Sequence, residues 1–316
     1  MDLFRLLGHP RAIGSYLAGA LILVVFCKPG PQAAKTPEES GQPAQMRIVV
    51  PRPVTIEHYF QFMDSLVAAY QPRVSYPLSE HLLVHANPWI LDTLVATDYY
   101  RRMARDSFVY DQRQQIALPQ GHLIEIPDSA GANRLIRRLH ALRLDTNIPE
   151  FRLRIFEDSI ERYAFPVRVG QNRTRYLKMG DRETDLRTLP GQGTIIRHER
   201  NPVFYNPVDG TRYYSTLRDD KKRTLMPRIP WLETEINGRR NGQLIHPTTN
   251  PETLGRAYSN GCIGTGEAAA WIIYYHAPLG TPVTIRYDLE VRDGPESHTK
   301  LKDIYGWGAK SPGARH

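Results

Sequence analysis

The chain has 316 residues, with 41 Lys+Arg against 33 Asp+Glu for a formal net charge of +8. At 41% hydrophobic and 9% aromatic it is neither a disordered acidic tail nor a low-complexity spacer, and it is long enough for one large domain or two smaller ones. Its basic residues are spread along the chain with no motif for reading bases, which argues against nucleic acid and suits anionic lipid or wall carboxylates.

The first residues have the grammar of a targeting segment. Arg5 and Arg11 precede an apolar run from Ala12 to Cys27, AIGSYLAGALILVVFC. Two readings stay open for residues 1–27: a cleaved secretory signal, or a short anchor that attaches the chain to the inner membrane through residues 12–27. Either one predicts export to the periplasm or cell envelope, with the remainder carried across. Phe26, bulky just before Cys27, argues against acylation of that thiol. Residues 28–45, rich in Pro, Gly, Gln, Ala and Glu, read as a flexible linker.

Residues 46–150 predict a mainly helical α+β region. Ile56 to Tyr70 carries a helical stripe through Tyr59, Phe60, Met63, Leu66 and Val67. Trp89 to Met103 is a second helix opened by Asn87-Pro88, and Asn133 to Leu142 a third. Ile116 to Pro127 reads as a strand after a Pro/Gly turn. From Phe151 the pattern turns to β. Strands are expected at Phe151–Phe156, Arg162–Val169, Gly193–Arg197, Gln243–His246 and Thr281–Tyr287, with one helix over Gly266–Tyr275. This predicts a mostly β domain at 151–290 and a C-terminal tail at 291–316.

The chain has two cysteines, Cys27 and Cys262, so the thiol of the folded part has no disulfide partner there. His246 precedes Cys262 by 16 residues, and Gly261 touches it in the sequence Ser259-Asn260-Gly261-Cys262-Ile263. A thiol, a base and a permissive backbone are the parts of a cysteine acyl-transfer site. Tyr258 and Trp231 are candidates for lining its cleft or for packing. His198 and His276 lack such a context. No cluster has metal-ligand spacing, and neither a metal nor another cofactor is expected.

Ordered landmarks surround this pair. Phe165-Pro166-Val167-Arg168-Val169-Gly170 is followed by Thr188-Leu189-Pro190-Gly191-Gln192-Gly193. Then come Ile245-His246, Ser259-x-Gly261-Cys262-Ile263 and Leu279-Gly280-Thr281-Pro282-Val283. In that order they resemble the L,D-transpeptidase catalytic domain, the YkuD family, over somewhat less than half the chain. The resemblance implies a β-sandwich with a helix after the catalytic cysteine, and no cofactor. It implies Cys262 as nucleophile and His246 as base, oriented by the Pro247 carbonyl. Gly261 and Cys262 would offer oxyanion N–H groups, and Ser259 and Asn260 would support the loop.

The substrate it implies is a peptidoglycan stem tetrapeptide, cut with release of D-Ala and joined 3→3 to a second stem. Water as acceptor would make an L,D-carboxypeptidase, and a protein amine an anchoring enzyme. A non-catalytic wall-binding protein with this fold is the reading from another class. The phrase PQGHLIEIP is also similar to the closing strand of wall-binding modules such as LysM, so residues 46–150 are a candidate wall-binding region.

The chain departs from the family pattern at three positions. Asn260 replaces a histidine, Pro247 a glycine, and Gly264 an arginine. Arg256, Arg239 and Arg240 are the candidates to supply the missing guanidinium, Arg256 also as a substrate-binding residue.

Overall fold

A computed structural model describes residues 46–292 and 298–308. The targeting segment, with Cys27 and the linker, lies outside the described residues. Among those described, no helix is long and apolar enough to cross a membrane.

The N-terminal part follows its sequence signals closely. Helix Ile56–Tyr70 buries Ile56, Tyr59, Phe60, Met63 and Leu66, one face of a 3.6-residue period. Helix Ser129–His140 starts at Asp128, whose carboxylate accepts from the Gly131 N–H at 2.6 Å. The single helix expected over Trp89–Met103 is two, Pro88–Val95 and Tyr99–Met103. Asp98 explains the break: its carboxylate caps the N–H groups of Tyr100 and Arg101 and also takes the Ala268 N–H at 2.9 Å. A further helix, Glu80–Ala86, begins at Ser79, whose hydroxyl accepts from Leu82 N–H. The strand expected at Ile116–Pro127 is two short ones, Ile116–Leu118 and Leu123–Ile126. They pair antiparallel with Val54–Thr55 and Met46–Val49 respectively.

The remainder is mostly β, as the alternation from residue 151 onward indicates. Its centre is an eight-stranded mixed sheet. In spatial order the strands are Ile263–Thr265, Leu244–Pro247, Trp231–Ile236, Gly191–Glu199, Pro282–Arg286, Leu142–Asn147, Arg152–Glu157 and Ile160–Pro166. Two neighbouring pairs are parallel: Leu244–Pro247 with Ile263–Thr265, and Pro282–Arg286 with Leu142–Asn147. The sheet therefore begins at Leu142, ahead of the boundary drawn at 151. Leu142 and Leu144 are buried, and Leu142, the expected last residue of the Asn133–Leu142 helix, is the first of this strand. Side chains on both faces of this strand are largely covered, so polar Asp145, Thr146 and Asn147 are buried along with Leu142 and Leu144.

Helix Glu267–Tyr275 follows the cysteine directly and is buried along almost its whole length. Trp271 lies against Tyr59 and Phe60, and the Tyr59 and Tyr275 hydroxyls meet at 2.6 Å. At the start of this helix, the Glu267 carboxylate accepts from Tyr99 N–H at 3.0 Å and from Arg218 Nη1 at 2.6 Å. The N-terminal helices thus brace the element on which the cysteine loop rests. The C-terminal residues also contribute: Tyr305 is buried and stacks on Tyr287.

Candidate active site

Cys262 sits in the turn between strands Ala257–Ser259 and Ile263–Thr265, half-buried and with a free thiol. The turn is held from inside. The Ser259 hydroxyl donates to the Cys262 carbonyl at 2.5 Å and accepts a long bond, 3.3 Å, from the Gly261 N–H. Gly261 has φ +108°, which an L side chain would strain. Its carbonyl accepts from Thr188 Oγ1 at 2.9 Å, and that hydroxyl accepts from Gly170 N–H at 2.8 Å. Tyr305 closes the circuit, donating to the Gly170 carbonyl at 2.6 Å while its oxygen accepts from Thr188 N–H at 3.2 Å.

His246 lies on strand Leu244–Pro247, whose parallel neighbour carries the residues after the cysteine, so His246 is in register with Gly264. Its Nδ1 donates to the Pro247 carbonyl at 2.9 Å. A carbonyl only accepts, so the neutral ring carries its proton on Nδ1 and keeps a lone pair on Nε2. The Trp231 ring stands 5.3 Å from the imidazole, centre to centre, and Phe204 lies edge-on to Trp231 at 5.1 Å.

The electrostatics set the resting protonation state. Burial, with the nearby Arg168 charge, lowers the His246 pKa to about 4 against the pull of the Pro247 bond. Burial raises Cys262 above an ordinary thiol, and the Leu244 backbone and Arg168 oppose that rise. Near neutral pH the resting groups are therefore a thiol and a neutral imidazole, not a preformed ion pair. Neutral imidazole is the state able to accept a proton.

The other candidates fall in different places. Asn260 and Arg256 are exposed, and Tyr258 is 58% exposed beside the loop. Arg240 is held by Glu233 at 2.8 Å, and Arg239 sits in a tight backbone bridge with Ile236. His198 and His276 lie away from the thiol, hydrogen-bonded to the Ala277 and Ile272 carbonyls.

The cation that acts on the pair is Arg168, which the sequence showed only as part of a strand. Arg168 and Gly264 form an antiparallel bridge: Arg168 N–H donates to the Gly264 carbonyl at 2.8 Å, and Gly264 N–H to the Arg168 carbonyl at 2.9 Å. Side chains of directly opposed residues share a face, so the arginine runs across the glycine. Thr188 and Tyr305 were likewise invisible as site residues, because their roles are hydrogen bonds to backbone far away in sequence. The bare glycine at 264 is the one signal in the sequence that a neighbour fills the space.

A cavity of about 470 Å³ adjoins this aromatic side, lined by Phe204, Arg212, Tyr213, Tyr214, Met226 and Arg228 among others. Among the described residues, no group of three or more His, Cys, Asp or Glu side chains could hold a metal ion.

Residues 142–285 match the family model of the L,D-transpeptidase catalytic domain, YkuD. No curated protein matches the chain. Among solved structures it is similar to an L,D-transpeptidase from Mycobacterium smegmatis, at 16% identity and a TM-score of 0.31 over 46% of this chain and 58% of that one. An L,D-transpeptidase from Mycobacterium tuberculosis aligns at 18% identity and a TM-score of 0.31, over 46% of this chain and 57% of that one. For one from Xylanimonas cellulosilytica the values are 12% and 0.34, covering 75% of this chain and 97% of that one. The chain thus spans less than two thirds of the two mycobacterial proteins.

Proposed function

We propose, from the L,D-transpeptidase catalytic domain at residues 142–285, that this protein is a cysteine acyltransferase acting on peptidoglycan stem peptides in the cell envelope. The observation that carries the proposal is a half-buried free thiol directly ahead of the strand that pairs in parallel with the His246 strand, where the histidine Nδ1 is committed to the Pro247 carbonyl.

The chemistry runs in two halves. His246 Nε2 takes the Cys262 proton as the sulfur attacks the carbonyl carbon of the bond between the third residue and D-Ala. An S–C bond forms and a tetrahedral oxyanion develops. Its oxygen displaces the Ser259 hydroxyl from the Gly261 N–H, since a charged acceptor outcompetes a neutral one at 3.3 Å. The C–N bond breaks, and the imidazolium gives its proton to the departing D-Ala amine. In the second half, the side-chain amine of another stem attacks the thioester carbonyl. A C–N bond forms, the C–S bond breaks, and the proton returns through His246 to the thiolate.

Because the resting pair is neutral, proton transfer accompanies attack instead of preceding it. This keeps the thiol quiet until substrate arrives. Trp231, Phe204 and the adjoining cavity suit the apolar and polar faces of a stem peptide.

The test is digestion of purified sacculi with the wild-type protein and with Cys262→Ala, followed by muropeptide separation. The proposal expects free D-Ala and new 3→3 dimers with wild type only. Tripeptides without dimers would mean that water is the acceptor. Unchanged muropeptides under both proteins would contradict the proposal and favour a wall-binding role.

A further inference from the structure

Arg168 is built into the nucleophile loop without being neutralised. A Cβ at position 264 would lie 2.5 Å from Arg168 Nε and 2.7 Å from its Cγ, so the arginine occupies the volume that any side chain there would need. Gly264 does not adopt the left-handed φ that would itself call for glycine; the constraint at this position is the arginine. The guanidinium is buried enough that Nε is shut off from water, yet Nε has no hydrogen-bond partner among the described residues. Nη1 reaches only the Thr253 hydroxyl, at 3.3 Å. No carboxylate comes within ion-pair distance among the described residues. The charged and titratable groups that interact with the arginine are Cys262, Tyr213, Tyr258, His246 and, more weakly, Asp219.

A buried N–H with no acceptor costs free energy unless an acceptor appears during function. The Cys262 sulfur, two residues from Gly264, becomes such an acceptor when it ionises. We propose that Arg168 is the positioning cation of the nucleophile: seated in the notch left by Gly264, its guanidinium stabilises the negative charge that builds on the Cys262 sulfur as its proton leaves. The inference rests on Cys262 being the nucleophile. It adds that the charge comes from the opposed strand, so positions 168 and 264 form one unit in which a single side chain can occupy the space.

Two consequences separate this role from simple packing. Removing the charge makes the thiolate harder to form. It also relieves the imidazolium of a like charge, so both groups titrate at higher pH. Moving the guanidinium to 264 after emptying 168 restores the effect, whereas adding a side chain at 264 beside Arg168 does not.

The experiment measures iodoacetamide alkylation of Cys262 across pH, with peptide mapping to separate it from Cys27. The proteins are wild type, Arg168→Gln, Arg168→Lys and Arg168→Ala/Gly264→Arg, and melting temperature tracks folding. Arg168→Gln should move the alkylation profile to higher pH and slow alkylation at pH 7 roughly tenfold, the scale on which one opposite charge acts. Arg168→Lys and the double variant should lie near wild type. A wild-type profile in folded Arg168→Gln would overturn the inference. If Arg168→Gln fails to fold, Arg168→Lys decides against the relocated guanidinium, since a purely steric role predicts that the double variant stays slow. Carbapenem acylation of the same set separates the two claims. Shifted alkylation profiles with no acylation of wild type would sink the transpeptidase reading and leave the cation in place.

Discussion

Two arginines near the cysteine loop, Arg218 at the start of the helix that follows it and Arg168 opposite Gly264, are treated differently. At the helix start, the Arg218 side chain is 1% exposed and bonds Glu267, itself 1% exposed, at 2.6 Å. It also bonds Thr224 and lies over the Tyr99 ring at 4.3 Å. Opposite Gly264, Arg168 has a guanidinium with a buried Nε that finds no hydrogen-bond partner, and no carboxylate pairs with it, among the described residues. Each charge had to be desolvated, but only the first is compensated within the fold. The contrast teaches that Arg218 serves the architecture, while Arg168 holds its bonding capacity open for an anion that comes and goes.

The comparison sharpens if each side fails in its own way. The largest effect is expected at the Arg218–Glu267 pair. Glu267→Ala leaves Arg218 buried and unpaired and should cost about 3–5 kcal/mol in urea unfolding, while the alkylation profile of the surviving folded protein stays put. Loss of the profile with unchanged stability would break the contrast. Opposite Gly264, Arg168→Gln should lower carbapenem acylation roughly tenfold, about 1.4 kcal/mol in activation free energy, with little change in melting temperature. Tyr305→Phe removes the hydroxyl that ties Gly170 and Thr188 together and should cost about 1 kcal/mol of stability. The smallest change is Gly264→Ala. Its methyl group would lie 2.7 Å from Arg168 Cγ and 2.5 Å from Nε, so the arm must shift, at a stability cost of about 1 kcal/mol. Acylation should fall severalfold as the guanidinium is pushed aside; an unchanged rate would mean that its position does not matter.

Much of the fold was legible because its signals are local. The stripe in Ile56–Tyr70 and the alternation in Phe151–Phe156 each reflect one buried face. Strand Leu142–Asn147 was missed: Leu142 continues the spacing of the preceding helical stripe, and the polar run Asp145-Thr146-Asn147 gives no apolar signal although it is buried. At the site, His246 and Cys262 stand out by residue type and spacing. Arg168 does not: its meaning depends on a glycine 96 positions later, across a two-residue bridge that sequence periodicity cannot reveal. Of the arginines drawn from the sequence, Arg240 pairs with Glu233 and Arg256 is exposed. The neutral resting pair was equally hidden, since it follows from burial that only the packed molecule creates.

The central claim is that Cys262 is a nucleophile deprotonated by His246 during attack, and the rate of carbapenem acylation followed by intact-protein mass from pH 3 to pH 9 tests it most directly. Wild type should gain a single adduct on Cys262, lost in Cys262→Ser. Because the His246 pKa is lowered to about 4, the imidazole stays neutral down to that range, and the acid limb of the profile should fall near pH 4 instead of near 6.5. His246→Ala should slow acylation at least 100-fold, the scale of lost general-base catalysis, and remove that limb. An adduct that forms as fast in His246→Ala as in wild type, or no adduct on Cys262 at any pH, would contradict the account.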